Sequence, residues 1–306
     1  MIPGLVSAAG LDSAAEFGVL LQKASAGDAE AMYRVGDAYY FGKGTQKDMH
    51  AAVKWMKNAA DKGHPKAMAA YGAYISHGYV SGKPKDAVKW FEKAAKKDYD
   101  FALYNLGFCY RNAYGVERDY KKSYEYFLRA AKLGNAAAMN SVGLAYHNGE
   151  GVEPDYGMAF NYFLQSAEND NPAAFLNVAR CYALGEGVDE NSVASLMWYE
   201  RAADENHYYS QFLCGSIYYS GTSRMFTGLV GGIDYGKAVK YLKMVLDNPR
   251  ATDDVKGETC RMLAACYRFG RGVEADEQEA ERLTALAAEY GDIDAQKVIE
   301  WYNSLK

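Results

Sequence analysis

The chain of 306 residues has no run of about 18 apolar residues, the least that would cross a bilayer as a helix, so no membrane span is expected. It has no basic excess either: 34 Lys and Arg stand against 39 Asp and Glu, a formal net charge of -5. Nucleic-acid binding needs a basic patch to neutralise phosphates, so that class is set aside. The five cysteines, Cys109, Cys181, Cys214, Cys260 and Cys266, form no regular pairs. An odd count speaks against a disulfide framework and points to a reducing, cytoplasmic compartment. No Lys or Arg precedes the apolar stretch Met1 to Gly10, so a secretory signal is not expected.

The motifs of common chemistries are missing as well. The histidines, His50, His64, His77, His147 and His207, form no His-x-x-x-His pair, and no Cys-x-x-Cys occurs, so no metal site is expected. Several Gly-x-Gly sequences follow helices rather than strands and lack the third Gly of a dinucleotide turn, so no cofactor is expected. No Ser-x-x-Lys or Gly-x-Ser-x-Gly advertises a serine nucleophile. Most carboxylates fall at helix caps or solvent-facing positions, and no glycosidase-like pair stands out. A non-enzymatic protein is expected.

What the chain has in excess is tyrosine, 27 of them against 6 prolines, and much of it is periodic. Small residues Gly36, Gly72, Gly107, Gly143, Ala179, Gly215 and Ala264 serve as anchors spaced 36, 35, 36, 36, 36 and 49 apart. Three residues on come Tyr39, Ile75, Tyr110, Tyr146, Tyr182, Tyr218 and Tyr267. Five before the anchor the residue is small, Ala31 in the first unit and Ala174 in the fifth. This is one amphipathic helix, A. Nineteen after the anchor an aromatic recurs, as Trp55, Tyr126, Tyr162 and Trp198, followed by a small pair such as Ala59-Ala60. That is a second helix, B, whose large residues are expected to fill notches beside small ones. Cys109, Cys181 and Cys266 all lie two after an anchor and read as packing residues.

The loops agree. Gly149-Glu150-Gly151-Val152, Gly185-Glu186-Gly187-Val188 and Gly270-Arg271-Gly272-Val273 separate A from B, where Gly ends a helix in left-handed backbone. Asp48, Asp119, Asp155, Asn191 and Asp276 follow as N-caps of helix B. The third unit has Ala113 where the first loop Gly stands elsewhere. The second has no Gly-x-Gly-Val, and Ser81 or Gly82 is expected to start its B helix.

In this register the chain resembles the Sel-one-like repeat family, a relative of the tetratricopeptide repeat, over roughly residues 15 to 305. The resemblance implies an all-α, right-handed superhelical solenoid of helix-turn-helix repeats of about 36 residues. A single solenoid over 1–306 is expected. Its parts are an extended or disordered N-terminus at 1–13, a half-repeat at 14–27, seven repeats over 28–291 and a capping helix at 292–306. Insertions near 222–233 and 247–254 account for the 49-residue spacing.

The resemblance also implies a protein or peptide partner held in a concave groove lined by helix A. The wall positions lie three before and one, four and five after the anchor, and they vary from unit to unit. They supply the candidates Tyr33, Asp37, Tyr40, Phe41, Tyr104, Phe108, Arg111, Asn112, Asn140, His147, Asn148, Arg180, Phe212, Tyr219 and Arg268. Aromatic and Arg side chains are the usual anchors of binding surfaces. The apolar insert supplies Arg224, Met225, Phe226 and Leu229 as a second contact. An adaptor or scaffold is therefore expected, as a monomer or at most a weak dimer. The alternatives that the family implies are a bacterial toxin-neutralising immunity protein, a signalling regulator, or a hydrolase acting on cell-wall or antibiotic-like substrates.

Overall fold

The computed structural model describes residues 13–221 and 232–304. The insert candidates Arg224, Met225, Phe226 and Leu229, and the N-terminal stretch 1–12, lie outside the described residues. Within them there are sixteen α-helices and no strand. Where the sequence suggests one continuous array, the chain forms two compact units, Met1–Pro154 and Asp155–Lys306.

The first unit holds α1 (Ala14–Ser25), α2 (Ala29–Phe41), α3 (Met49–Asp61), α4 (Pro65–Ser76), α5 (Pro84–Ala95), α6 (Asp100–Asn112), α7 (Tyr120–Lys132) and α8 (Ala136–Asn148). The second holds α9 (Tyr156–Glu168), α10 (Pro172–Leu184), α11 (Ser192–Asp204), α12 (Tyr208–Ser220), α13 (Tyr235–Leu246), α14 (Asp253–Phe269), α15 (Glu277–Glu289) and α16 (Ile293–Ser304). In each unit every helix packs on the one before and the one after. The even-numbered helices are the A helices, with α16 as the terminal half-repeat. The odd-numbered ones are the B helices, and α1, opened by a Ser13–Glu16 capping box, is the orphan at the start.

The anchor rows are small for a measurable reason. A Cβ on Gly107 would stand 2.6 Å from the ring of Phe127, and one on Gly215 would stand 2.7 Å from Leu242. The notch is filled by the residue after the recurrent aromatic, not by the aromatic itself. Met56, Phe91, Phe127, Phe163, Tyr199 and Leu242 are all buried, while Trp55, Tyr126 and Trp198 are half-buried on the outer side. Where the small B residue is Ser, its hydroxyl donates to the anchor carbonyl: Ser123 to Gly107 at 2.8 Å and Ser195 to Ala179 at 2.7 Å. These bonds satisfy a hydroxyl that burial would otherwise leave costly.

The tyrosine row does different work. Only Tyr218 of the six is buried; the others are half-buried. Three of the rings, Tyr39, Tyr146 and Tyr182, stand edge-on against the aromatic 22 positions earlier, on the preceding B helix. Tyr39 meets Phe17 at 5.2 Å, Tyr146 meets Tyr124 at 5.6 Å and Tyr182 meets Phe160 at 5.2 Å. Edge-to-face is the favourable arrangement for such pairs. The Tyr39, Tyr110, Tyr182, Tyr218 and Tyr267 carbonyls accept from the N–H of the cap that opens the next B helix, at 2.8 to 3.0 Å. One residue thus fixes both its own hairpin and the joint to the previous one.

The Asp and Asn caps form as the sequence indicates, each accepting from the N–H three residues on at 2.8 to 3.0 Å. The second repeat differs from expectation: Lys83 precedes Pro84 at the helix start, and the Asp86 carboxylate accepts from the Lys83 N–H at 3.1 Å. Ala113 ends α6 in left-handed backbone at φ 56°. That conformation costs an L-residue about 1–2 kcal/mol, and Gly occupies it freely. Ala113→Gly should therefore raise stability by about 0.5–1 kcal/mol, read as a higher urea midpoint with an unchanged slope.

The second insertion is not merely a longer connection. Its Asp253 and Asp254 open α14, which runs 17 residues against 13 in α12. Its Asn248 is buried, and the amide donates to the Asn206 carbonyl at 3.0 Å, the Asn206 side chain at 2.9 Å and Gln211 at 3.1 Å. The segment is pinned to the preceding repeat.

Candidate interaction surface

The wall candidates separate into buried and accessible sets. Tyr33, Asp37, Tyr40 and Asn140 are buried, which corrects the expectation that they stand on an open wall. The reason lies in the neighbouring repeat. Opposite the Tyr33, Asp37 and Tyr40 rows, the second repeat has Ala69, Ala73 and Ser76, and the large side chains settle into the room this leaves. Tyr33 stacks on His64 at 4.8 Å, and Tyr40 lies 6.0 Å from Tyr74. Burial pushes the Tyr33 and Tyr74 hydroxyls far above the usual phenol range.

In the third repeat the wall aromatic stays out. Phe108 is half-exposed, at 50%. It stands on the rim of a cavity of about 290 Å³ between α4 and α6. Phe101 and Tyr104 of α6 and Ser76 and His77 of α4 complete the walls, with Phe91 among the residues at its base. The opening thus combines an apolar interior with a few polar groups, the usual chemistry of a binding groove.

Arg111, beside it, is committed. Its Nε lies 2.7 Å from Glu150 Oε2 and one terminal nitrogen lies 3.2 Å from Oε1. The Asn148 amide donates to the same carboxylate at 3.4 Å, and His147 Nδ1 is 2.9 Å from the Asn148 oxygen. The Asn112 amide donates to the Phe108 carbonyl at 2.9 Å. The polar candidates Arg111, Asn112 and Asn148 thus already have partners within the chain. Arg111 and Asn148 order Glu150 in the loop after α8.

The same register positions build a groove in the second unit. Arg268 and Phe269 of α14, four and five after their anchor, correspond to Ser76 and His77 of α4. Val298 and Trp301 of α16 correspond to Asn105 and Phe108 of α6. These residues line two adjoining openings of about 170 and 470 Å³. Phe269 and Trp301 are both exposed, and Arg268 is paired with Glu277 at 3.1 Å. Elsewhere on these A helices Arg180 is exposed, while Phe212, Tyr219 and, in the first unit, Phe41 are half-buried. Trp301 and Phe269 were missed as candidates; extending the wall positions onto the terminal half-repeat would have found Trp301.

Polar clusters elsewhere serve packing. On α11, α12 and α13 the Tyr218 hydroxyl donates to Glu200 at 2.8 Å and receives from Lys237 at 2.9 Å. Burial raises the Tyr218 hydroxyl, and the Tyr218 and Glu200 bonds raise the Lys237 ammonium, so both hold their protons at neutral pH. All five cysteines are buried and free. Burial pushes the Cys181, Cys260 and Cys266 thiols up to about 11 and Cys109 to about 12. The reactive thiolate is therefore scarce at pH 7. A disulfide reagent at pH 7 should label the folded protein at a small fraction of the rate seen in guanidinium, where all five react.

Seven segments, 29–64, 65–99, 100–135, 136–171, 172–207, 209–244 and 257–292, match the Sel1 repeat, so the chain belongs to the Sel1 repeat family. Its fold is the all-α solenoid of that family. It is similar to c5321, a protective antigen of uropathogenic Escherichia coli displaying an SLR fold. The two share 28% identity and a TM-score of 0.76, over 92% of this chain and 57% of that one. A Sel1 repeat protein from Oxalobacter formigenes is similar at 30% identity and a TM-score of 0.66, over 77% of this chain and 99% of that one. HRD3A of Arabidopsis thaliana, a component of an ERAD-associated E3 ubiquitin-protein ligase, is 39% identical over 64 residues. That stretch is 21% of this chain and 9% of that protein's length. Sel1 repeat proteins are typically protein-interaction adaptors.

Proposed function

We propose that this chain is a non-catalytic adaptor that holds a segment of a protein partner on the A-helix face of its first unit. The observation that carries the reading is Phe108, a large apolar side chain half in solvent at the mouth of a cavity lined by aromatic rings and a few polar groups. Solvating such a ring is unfavourable, and covering it with a partner recovers that free energy. A partner side chain enters between α4 and α6, where Ser76, His77 and Asn105 offer hydrogen bonds. The repeated construction at Phe269 and Trp301 supports the same use of the second unit's A face. Affinity capture from the native cell, quantified by mass spectrometry, tests the reading. Proteins retained by the native chain should be lost with Phe108→Asp, and retention at full strength contradicts it.

A further inference from the structure

The second repeat departs from its neighbours on the opposite, B-helix side as well. In repeats three and five a cation stands three residues after the B-helix aromatic and pairs with an Asp in the turn before its own A helix. Arg129 lies 2.8 Å from Asp98, and Arg201 lies 3.6 Å from Asp170. In repeats one, four and six both positions are uncharged: Asn58 with Gly27, Gln165 with Gly134, and Met244 with Asn206. Cation and carboxylate thus occur together or not at all, except in the second repeat. There the cation is Lys93 and the turn position is Gly63. Lys93 has no carboxylate within ion-pair distance among the described residues; its ammonium lies 4.0 Å over the ring of Trp90.

Around this pair runs a groove of about 490 Å³ between α3, α4 and α5. Trp90 and Tyr71 form its apolar floor, in edge contact at 5.4 Å. Lys57, Lys89, Lys93 and Lys96 stand around it, with Asp86 and Glu92 as the acids. Lys57 is held by Asp61 at 2.6 Å and Lys89 by Asp86 at 3.2 Å, so Lys93 and Lys96 carry the surplus. The excess extends beyond the groove: residues 43–132 hold 18 Lys and Arg against 9 Asp and Glu, within a chain that is acidic as a whole. Ser81 and Gly82, in the loop before α5, also line the groove.

We infer that the B-helix groove at Lys93, Lys96, Trp90 and Tyr71 is a second docking surface, and that its occupant is an extended acidic protein segment with an apolar side chain. The segment supplies the carboxylate that the second repeat lacks, and its apolar side chain covers the indole. Along the roughly 18 Å of a 12-residue helix, an extended chain places five or six residues. Isolated lysines with acids among them suit separated carboxylates better than the continuous charge of a phosphate backbone. The surface is separate from the Phe108 groove and does not depend on it.

The test uses the full chain and a fluorescein-labelled decapeptide of alternating Glu and Leu, read by fluorescence anisotropy at low salt. Binding should weaken with added salt and fall at least tenfold in the double variant Lys93→Glu/Lys96→Glu. It should be unchanged in Lys243→Glu, an exposed change in the second unit, and in Phe108→Asp. The matching peptide with Gln for Glu should bind at least tenfold more weakly. Both lysines are exposed, and circular dichroism melts should confirm that the double variant is folded. Equal binding by the double variant and the native chain overturns the inference, as does equal binding of the Gln peptide. Tighter binding of a single-stranded oligonucleotide at the same salt overturns the stated occupant. So does concentration-dependent self-association, seen by sedimentation, that the double variant removes.

Discussion

Gly187→Ala should lower the melting temperature of the second unit by roughly 4–20 °C, the largest effect expected of any single methyl among the described residues. A Cβ on Gly187 would lie 2.0 Å from the Tyr156 carbonyl oxygen and 2.3 Å from its carbon. These are backbone atoms at the start of α9, which cannot turn aside as a side chain could. Gly187 also sits at φ 75°, where Ala is strained. Left-handed strain of about 1–2 kcal/mol and overpacking of about 1–3 kcal/mol together make roughly 2–5 kcal/mol. At about 2–4 °C per kcal/mol for a unit of this size, that gives the stated range. Gly185→Ala is the internal control. Its φ is 67°, but its Cβ would meet nothing closer than 3.7 Å, so only the strain applies. Equal melts for the two variants would show that the loop does not rest on α9. The result bears on function too: this Gly-x-Gly is spent on a backbone joint between repeats, which explains its recurrence without a phosphate.

Phe108→Asp should weaken partner capture at least thirtyfold while leaving the fold intact. Buried aromatic anchors at interfaces are worth about 2 kcal/mol or more, and an unpaired carboxylate in the same place adds a desolvation cost. Because Phe108 is half in solvent before binding, the fold loses little when it is replaced. Leu133→Asp is the matched control, since Leu133 is equally exposed at 50% but follows α7, away from the α4–α6 cavity. Capture should survive Leu133→Asp, with melts of both variants close to the native chain. Charge reversal at Arg111 would be a poor probe, because it also releases Glu150 and Asn148.

Much of the scaffold was legible because each repeat states the same requirement again. A small anchor, a loop Gly and a capping Asp recur in register, and the helices begin where those signals stand. What escaped was the identity of the neighbours. The sequence shows that Gly151 and Gly187 recur, but not that their Cα atoms approach the first turn of another helix. It shows an aromatic nineteen after most anchors, yet Phe127 and Phe163, one residue later, occupy the notch. The wall candidates were read down one repeat at a time, whereas burial is decided across two. Tyr33 and Tyr40 sink where the next repeat has Ala69 and Ser76 at the same positions, while Phe108 stays half in solvent.

Site-specific photo-crosslinking in the native cell shows whether the α4–α6 groove meets a partner. A photoreactive phenylalanine analogue at position 108 should yield one dominant crosslinked protein. The same analogue at Glu125, exposed on α7, should not yield it. No adduct at 108, or the same adduct from both positions, would contradict the account.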